Sequence, residues 1–501
     1  MSTTASWSWV LGTACVAAVL PFVAAAVYNV WFHPLRTVPG PRLAAVTDFY
    51  AFYWNYIRGE GYSKQFDSLH RRYDSPVIRI GPNHLHTIQP KFYDIIFKVG
   101  SKWRKHNSFY RHFGGLDAMV EPHHYRAYRT HIAPLYAQRA VDGLVPKLRG
   151  DLDMSAARML EAYRDGEAIN MARVAQTLST SMILHILFSI DIPLYDCDGH
   201  HPFLEAVEQL LKETWLFLGY PQLLAVLSLI PGTRFARLNA VWTTFTKYCT
   251  SWYQEDLRVQ STSNEHSTRD SHTKRYLAIK ERDGDDGKKS IVPKPLDDVF
   301  NFVAGGADTT AYTTASAIFY ILSSPTVCKT LVAELDAHSS IIRDELDYNR
   351  IQSLPYLNAV VKETLRIAVP VPGCLPRVVP EGGITLGSFS LPAGTAVSLS
   401  HQAISFNDDI FPSPHSFRPE RWIGPEAAGL DKWNVAFSRG PRQCIGTSMA
   451  YLELRCTLAY FFSRFEMTLT GNCGRRLRYV DRFVAANLDD VEVRILRHRW
   501  S

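Results

Sequence analysis

The chain has 501 residues, is 46% hydrophobic and 20% charged, and carries a net charge of +6. That is the balance of an ordinary globular protein with a sizeable core, and neither a disordered nor a collagen-like chain. The basic residues are scattered, without a basic repeat or zinc-finger spacing, which gives nucleic-acid binding no support. Length alone suggests two to four domains. No Gly/Ser-rich or Pro-rich linker divides the chain, however, so one large domain is equally admissible. Eight cysteines lie far apart without a CxxC pair, and there is no Asn-x-Ser/Thr sequon. Reduced thiols in a cytosol-facing protein are the simplest account.

No charged side chain occurs between Ser2 and Leu35, and Trp9 to Val27 is a run of 19 uncharged, mostly apolar residues. About 20 such residues cross a bilayer, so residues 1–33 are expected to be a membrane anchor. A cleaved signal peptide is the competing reading, with Ala24-Ala25-Ala26 as a cleavage point. It lacks the basic segment such peptides carry, and the apolar run continues past the alanines. Arg36 and Arg42 follow the span, which places the bulk of the chain in the cytosol. Residues 34–42, with Pro34, Pro39 and Pro41, form a stiff connector.

Beyond the connector, Val77 to Ile80 and His84 to Thr87 pattern as paired strands around the turn Gly81-Pro82-Asn83. Met119 to Ile230 is helical with interruptions. The polar stretch Gln260 to Lys289 reads as an exposed connection between helices. Asp297 to Ser323 is apolar enough to suggest a second span. Its Gly305, Gly306, Asp308 and four threonines favour a buried central helix instead. Within it, Gly305-Gly306-Ala307-Asp308-Thr309-Thr310 combines two glycines that weaken helical bonding with an acid–alcohol pair that is costly to bury. Pro370 to Val397 mixes Pro, Gly and β-branched residues in the manner of short strands and turns.

Phe437 to Gly446, FSRGPRQCIG, holds Cys444 just before an apolar helical run from Thr447 to Phe462. A helix N-terminus favours a thiolate there. Gly440 and Gly446 leave room for a flat cofactor near the backbone, and Arg442 is a fixed cation suited to a cofactor carboxylate.

This loop resembles the Phe-x-x-Gly-x-Arg-x-Cys-x-Gly signature of the cytochrome P-450 enzymes. Three further segments fit in the right order. GGADTT resembles the family's oxygen-binding helix. Glu363 and Arg366 of KETLR resemble its ExxR pair, and Arg421 of FRPERW completes that network, so these three are assigned to folding. The resemblance implies a mainly α fold with small β-sheets over residues 43–501, and haem b held by a Cys444 thiolate. It places Arg442, Arg377 and Arg129 at the propionates, and Asp308 and Thr309 as proton donors to dioxygen. Arg129 is the arginine of a Trp-x-x-x-Arg pattern whose aromatic position here is Tyr125. Phe406 stands where the family often has histidine.

The activity implied is monooxygenation of a hydrophobic small molecule, in the style of fungal secondary-metabolism members, including those acting on terpenoids. Electrons would come from NADPH through a partner reductase docked on the basic face near Cys444. By the same analogy Arg104 to Pro122, Trp215 to Leu224, Ala304, Val371 to Cys374 and Ala485-Ala486 line the pocket. The expected location is the endoplasmic reticulum membrane, crossed once. A reductase-independent isomerase or dehydratase, and a haem sensor, are the alternatives.

Overall fold

The computed structural model describes residues 19–195, 200–262, 269–283, 293–470 and 476–500. It is mainly helical with small sheets, as expected. The helices that matter for the site are α1 (Pro122–Ile132), α2 (Met171–Leu187), α3 (Pro202–Lys212), α4 (Pro295–Val303), α5 (Thr309–Leu322), α6 (Pro355–Ala368) and α7 (Thr447–Arg464). The five-stranded sheet comprises β1 (Val77–Gly81), β2 (His84–Thr87), β3 (Arg104–Lys105), β4 (Arg377–Val378) and β5 (Ala396–Ser398), in the order β1-β2-β5-β4-β3. The hairpin β6 (Tyr479–Arg482) and β7 (Val484–Asn487) stands separately.

β1 and β2 pair antiparallel where expected, but Gly81 joins β1, with a register shift between Arg79 and Gly81. All five strand-β1 residues are buried, since the sheet is covered on both faces.

The expected central helix is three pieces. α4 runs into a π-helical turn, Ala304–Asp308, and continues as α5. Gly305 and Gly306 supply the weak point, and π-turns of this kind cluster at functional sites. α4 and α5 together with the next helix (Pro325–Ala337, bent by 106°) have the length and composition of a broken membrane span. Eleven residues of α5 are nonetheless buried in the protein core.

One expectation changes. The connection Gln260 to Lys289 contains a helix, His272–Asp283. It docks because buried His272 meets the Asp298 carboxylate at 2.9 Å. Positions 263–268 and 284–292 of that stretch lie outside the described residues. The proline-rich connector packs on the domain: Leu35 and Val38 are buried, and Arg79 N–H donates to the Pro39 carbonyl at 2.7 Å. A Cβ on Gly40 would lie 2.3 Å from the Arg79 carbonyl oxygen. Of the expected anchor, residues 1–18 lie outside the described residues. Residues 19–32 are helical and exposed, and among the described residues no single helix is long and apolar enough to cross a membrane.

One carboxylate ties the scaffold together. Glu363 on α6 is fully buried. Its Oε1 accepts from Arg366 Nη2 (2.8 Å), the Arg418 amide (2.9 Å) and Arg421 Nε (3.2 Å). Its Oε2 accepts from Arg366 Nε (2.9 Å) and Trp422 Nε1 (2.8 Å). Removing one partner of a buried ion pair costs about 3–5 kcal/mol, whereas losing one neutral donor costs about 1 kcal/mol. Glu363→Ala is therefore expected to lower the unfolding free energy several-fold more than Trp422→Phe does. Urea denaturation of both variants checks this; equal losses would mean that the guanidinium groups do not depend on the carboxylate.

Candidate active site

Cys444 sits between a 3₁₀ turn, Gly440–Arg442, and the start of α7. The loop is fixed by a bond from the Cys444 amide to the Phe437 carbonyl (2.9 Å) and by Arg439, which pairs with Asp94 at 2.8 Å. Gly440 has a positive φ of 73°, and a Cβ there would lie 2.3 Å from the Phe97 carbonyl oxygen. Its role is thus close packing of the loop on the protein, a correction to the expectation that it clears space for a cofactor. At Gly446 a Cβ would sit 3.9 Å from the Cys444 sulfur, an ordinary contact.

Burial pushes the Cys444 thiol above its ordinary value, against the Gly446 amide, Arg129 and the Thr447 hydroxyl. The Gly446 amide at the helix N-terminus favours the thiolate, as expected, and opposes the desolvation. A metal cation bonded to the sulfur is what removes the proton outright.

The thiol opens onto two contiguous hollows of ≈ 170 and ≈ 230 Å³, and both are also lined by Gly305, Thr309 and Thr310 of the broken central helix. Cysteine loop and central helix therefore face each other across one slot. Into the larger hollow point Lys105, Arg377 and Arg442. Lys105 and Arg377 are cross-strand partners on β3 and β4, and both are nearly fully buried. Burial lowers the Lys105 ammonium to about 8, with Asp117 opposing and Arg377 adding to the shift. Burial likewise lowers Arg442, to about 10. Its guanidinium donates to the Met119 and Val120 carbonyls (2.6 and 2.8 Å) and lies 3.6 Å from the Tyr125 ring centroid.

His401 lines the same hollow at 3% exposure, with neither ring nitrogen partnered among the described residues. Buried polar atoms are normally bonded. Lys105 is paired with Asp117 at 2.8 Å, so buried Arg377, half-buried Arg442 and an unpartnered imidazole are what the slot offers a group that carries carboxylates and sits against a thiolate. Lys105 lies within the expected lining stretch Arg104 to Pro122 but is not singled out there as a cation, and His401 is not expected at all, because nothing local marks a lysine or histidine whose partners come from other strands.

The other expected residues separate. Arg129 on α1 lines the smaller hollow and is committed elsewhere: its Nη1 donates to the Tyr125 hydroxyl (2.5 Å) and the Gln443 carbonyl (2.7 Å). Tyr125, which stands where the family pattern has tryptophan, supplies that hydroxyl and the ring beneath Arg442. Phe406 stacks on His415 at 4.8 Å.

Thr309 faces the slot, its hydroxyl donating to the Gly305 carbonyl at 2.7 Å. Asp308 does not. Consecutive helical residues point about 100° apart, and Asp308 lines a different hollow, ≈ 190 Å³, with Arg173, Gln176, Glu208 and Arg482. Ala485 and Ala486 line that polar hollow too, not the slot at Cys444.

A mostly helical domain in which one cysteine faces a broken helix across a slot is the arrangement that thiolate-ligated redox enzymes use. The cytochrome P450 family model matches residues 61–477. Cytochrome P450 monooxygenase cloA of Claviceps purpurea is 69% identical over 99% of this chain and 97% of its own. A Claviceps fusiformis protein called inactive cytochrome P450 monooxygenase cloA is 66% identical over 95% and 93%. Cytochrome P450 monooxygenase phqM of Penicillium fellutanum is 42% identical over 93% and 88%. The chain belongs to the cytochrome P450 family, whose cofactor is haem, and it is a P450 monooxygenase.

Burial pushes the Asp308 carboxyl up to about 7, Glu208 adding to the push while Gln176 and Arg482 pull against it. Because the folded-state value is raised, the stability linked to this group is present in full below the ordinary carboxylate value of 3.8. It is lost as the pH rises to and through about 7. Urea unfolding of the wild type and Asp308→Asn, compared between about pH 4.5 and about pH 8, should show the wild type losing ground to the variant as pH rises. Parallel pH profiles would mean that the carboxyl is not held protonated.

Proposed function

We propose that this enzyme inserts one oxygen atom from dioxygen into a C–H or C=C bond of a hydrophobic small molecule, a fungal secondary metabolite such as a terpenoid, with electrons from NADPH through a separate membrane-bound reductase. The observation that carries this reading is that Cys444 and Thr309 face one slot from opposite elements. The haem fits as follows. Cys444 would bind its iron, and Arg377, Arg442 and His401 would receive its carboxylates, with Lys105 held beside them by Asp117. When bound, haem supplies the reductive activation of dioxygen, one atom going to substrate and the other to water.

The chain's own residues control protons and access. Asp308, with a carboxyl poised near neutrality, exchanges protons with the polar hollow bounded by Arg173, Glu208 and Arg482. Thr309 Oγ1, one residue on, presents a hydroxyl inside the slot. Transfer between the two crosses the π-turn, where helical bonding is already weakened by Gly305 and Gly306. Leu365, Val371, Leu375, Phe437 and Val484 form an apolar part of the slot's wall and suit an apolar substrate. Arg129 and Arg439 give the face around the cysteine loop a positive character that suits an acidic reductase surface.

Two substitutions in one reconstituted assay test the reaction. Cys444→Ala should abolish the red-shifted absorbance of the reduced carbon monoxide complex, since only thiolate ligation produces it. Thr309→Ala should keep that spectrum and keep consuming NADPH, but release peroxide in place of oxygenated product. A Cys444 variant with an unchanged spectrum, or a Thr309 variant that remains fully coupled, would refute the corresponding role.

For the location, we infer an anchor over residues 1–33 in the endoplasmic reticulum membrane, supported by the uncharged run Trp9 to Val27 and by the exposed apolar helix from Val19 to Phe32. A variant lacking residues 2–33 should leave the membrane fraction in large part, while the full chain should resist a high-salt wash. Full-length protein that washes off with salt would overturn the anchor.

A further inference from the structure

Two cavities approach each other near Cys444 without sharing a lining residue. The inner is the ≈ 230 Å³ hollow already described, which also contains Val371, Leu375 and Phe483. The outer, ≈ 320 Å³, is lined by Phe52, His106, Phe109, Trp215, Tyr220 and Asp481, among others. In three places near neighbours in the chain face opposite sides. Phe109 is outer and Tyr110 inner, Cys374 outer and Leu375 inner, Asp481 outer and Phe483 inner. The partition is about one residue thick.

At two of these crossings the barrier is main chain: a helical turn at Asn107–Tyr110 and an extended segment at Cys374-Leu375. At the third it is a ring. Phe483 packs edge-on to Phe113 (centroids 4.6 Å apart) and also meets Phe109 (6.1 Å) and Trp215 (6.4 Å). Phe109 and Trp215 belong to the outer cavity, so this ring spans the partition, and a rotamer change of one side chain would breach it.

Its backbone is unusual. Phe483 is the single residue between the paired Arg482 and Val484, at φ 73°. Glycine or asparagine would adopt that conformation easily, whereas for a bulky residue it is an outlier. The surroundings impose it. Asp481 Oδ1 accepts from the Phe483 amide at 2.9 Å, Asp481 Oδ2 accepts from the Ser63 hydroxyl, and the Asp481 carbonyl accepts from Trp215 Nε1 at 2.8 Å. A Cβ on Gly61 would lie 2.5 Å from the Asp481 Cβ, which closes the remaining space around the latch. Strain held in place from several sides is the kind that marks functional positions.

We propose that Phe483 is a size-selecting gate through which ligands pass from the outer cavity to the slot at Cys444, with Asp481 as its positioning residue. The outer cavity suits apolar entrants. Tyr220 and Phe52 in its wall belong to an apolar cluster with Leu224, and Leu223, Val226, Leu229 and Ile230 beside it are exposed. The role of the slot rests on the function proposed above.

The test uses haem-loaded full chain and stopped-flow binding of imidazole against a bulky azole, read from the absorbance change on iron coordination. The reduced carbon monoxide spectrum of each variant reports separately on thiolate ligation, so failure of that reading is distinguishable. Phe483→Ala should raise the association rate of the bulky azole about tenfold, within the one to three decades that such rates span among variants of one site, and leave imidazole nearly unchanged. Phe483→Trp should slow the bulky azole selectively. Asp481→Ala should speed it, and the double variant Asp481→Ala/Phe483→Ala should be no faster than Phe483→Ala alone. Equal effects on both ligands, or no effect of either Phe483 substitution, would overturn the gate and leave Phe483 as packing.

Discussion

Five hydrogen-bond donors converge on the carboxylate of Glu363, and the course of the chain ahead of the cysteine loop follows from what those donors do with their remaining hydrogens. Arg366 Nη1 donates to the Ser405 and Pro414 carbonyls, and Arg421 Nη1 to that of Pro412. The stretch from Ser405 to Trp422 has little regular structure, so its carbonyls have few main-chain partners. A buried carbonyl without a partner is costly. Guanidinium groups can satisfy several carbonyls at once in fixed directions, and Glu363 neutralises the charge that doing so brings into the core. An apolar cluster of equal volume could have packed α6 as tightly, but could not have fixed a loop made of carbonyls. The same chain goes on to Phe437 and the cysteine loop, which is held in its turn by the Arg439–Asp94 pair and the packing of Gly440 on the Phe97 carbonyl.

How much could be read from the sequence depended on whether a signal was local. The cysteine loop, the β1–β2 hairpin and the central helix each announce themselves within about ten residues, and each is where it was expected. Glu363, Arg366 and Arg421 were legible because their segments follow in a known order. The failures share one cause: their partners come from afar. Lys105 lies in a stretch expected to line the pocket, but its place beside Arg377 comes only from the pairing of β3 with β4. His401 is one histidine among 18 until folding buries it without a partner. The helix at His272 forms inside a polar stretch because a buried aspartate, Asp298, accepts from its first residue. Gly440, assigned to a cofactor from its neighbourhood in sequence, in fact accommodates a carbonyl 343 positions earlier in the chain, that of Phe97. No periodicity reports such contacts.

On the proposed reaction, the π-turn at Ala304–Asp308 answers a need for protons beside an oxygen-activating centre. Placing the acid and the alcohol at adjacent positions of one helix puts them on different faces, so that Asp308 stays with arginines and further carboxylates in a polar hollow while Thr309 lines the slot at Cys444. The helix is then the partition, and its hydrogen bonding must be loose there for a proton to cross it. Gly305 and Gly306 provide that looseness, and Gly306 has a packing role besides, since a Cβ there would press to 3.0 Å on the Ile183 side chain of α2. The position is thus held by a neighbouring helix while its bonds are weakened, which confines the disorder to the few peptide units that separate the acid from the alcohol. The partition at Phe483 works on the same principle for a larger passenger. In both places one side chain in an otherwise rigid wall carries the traffic.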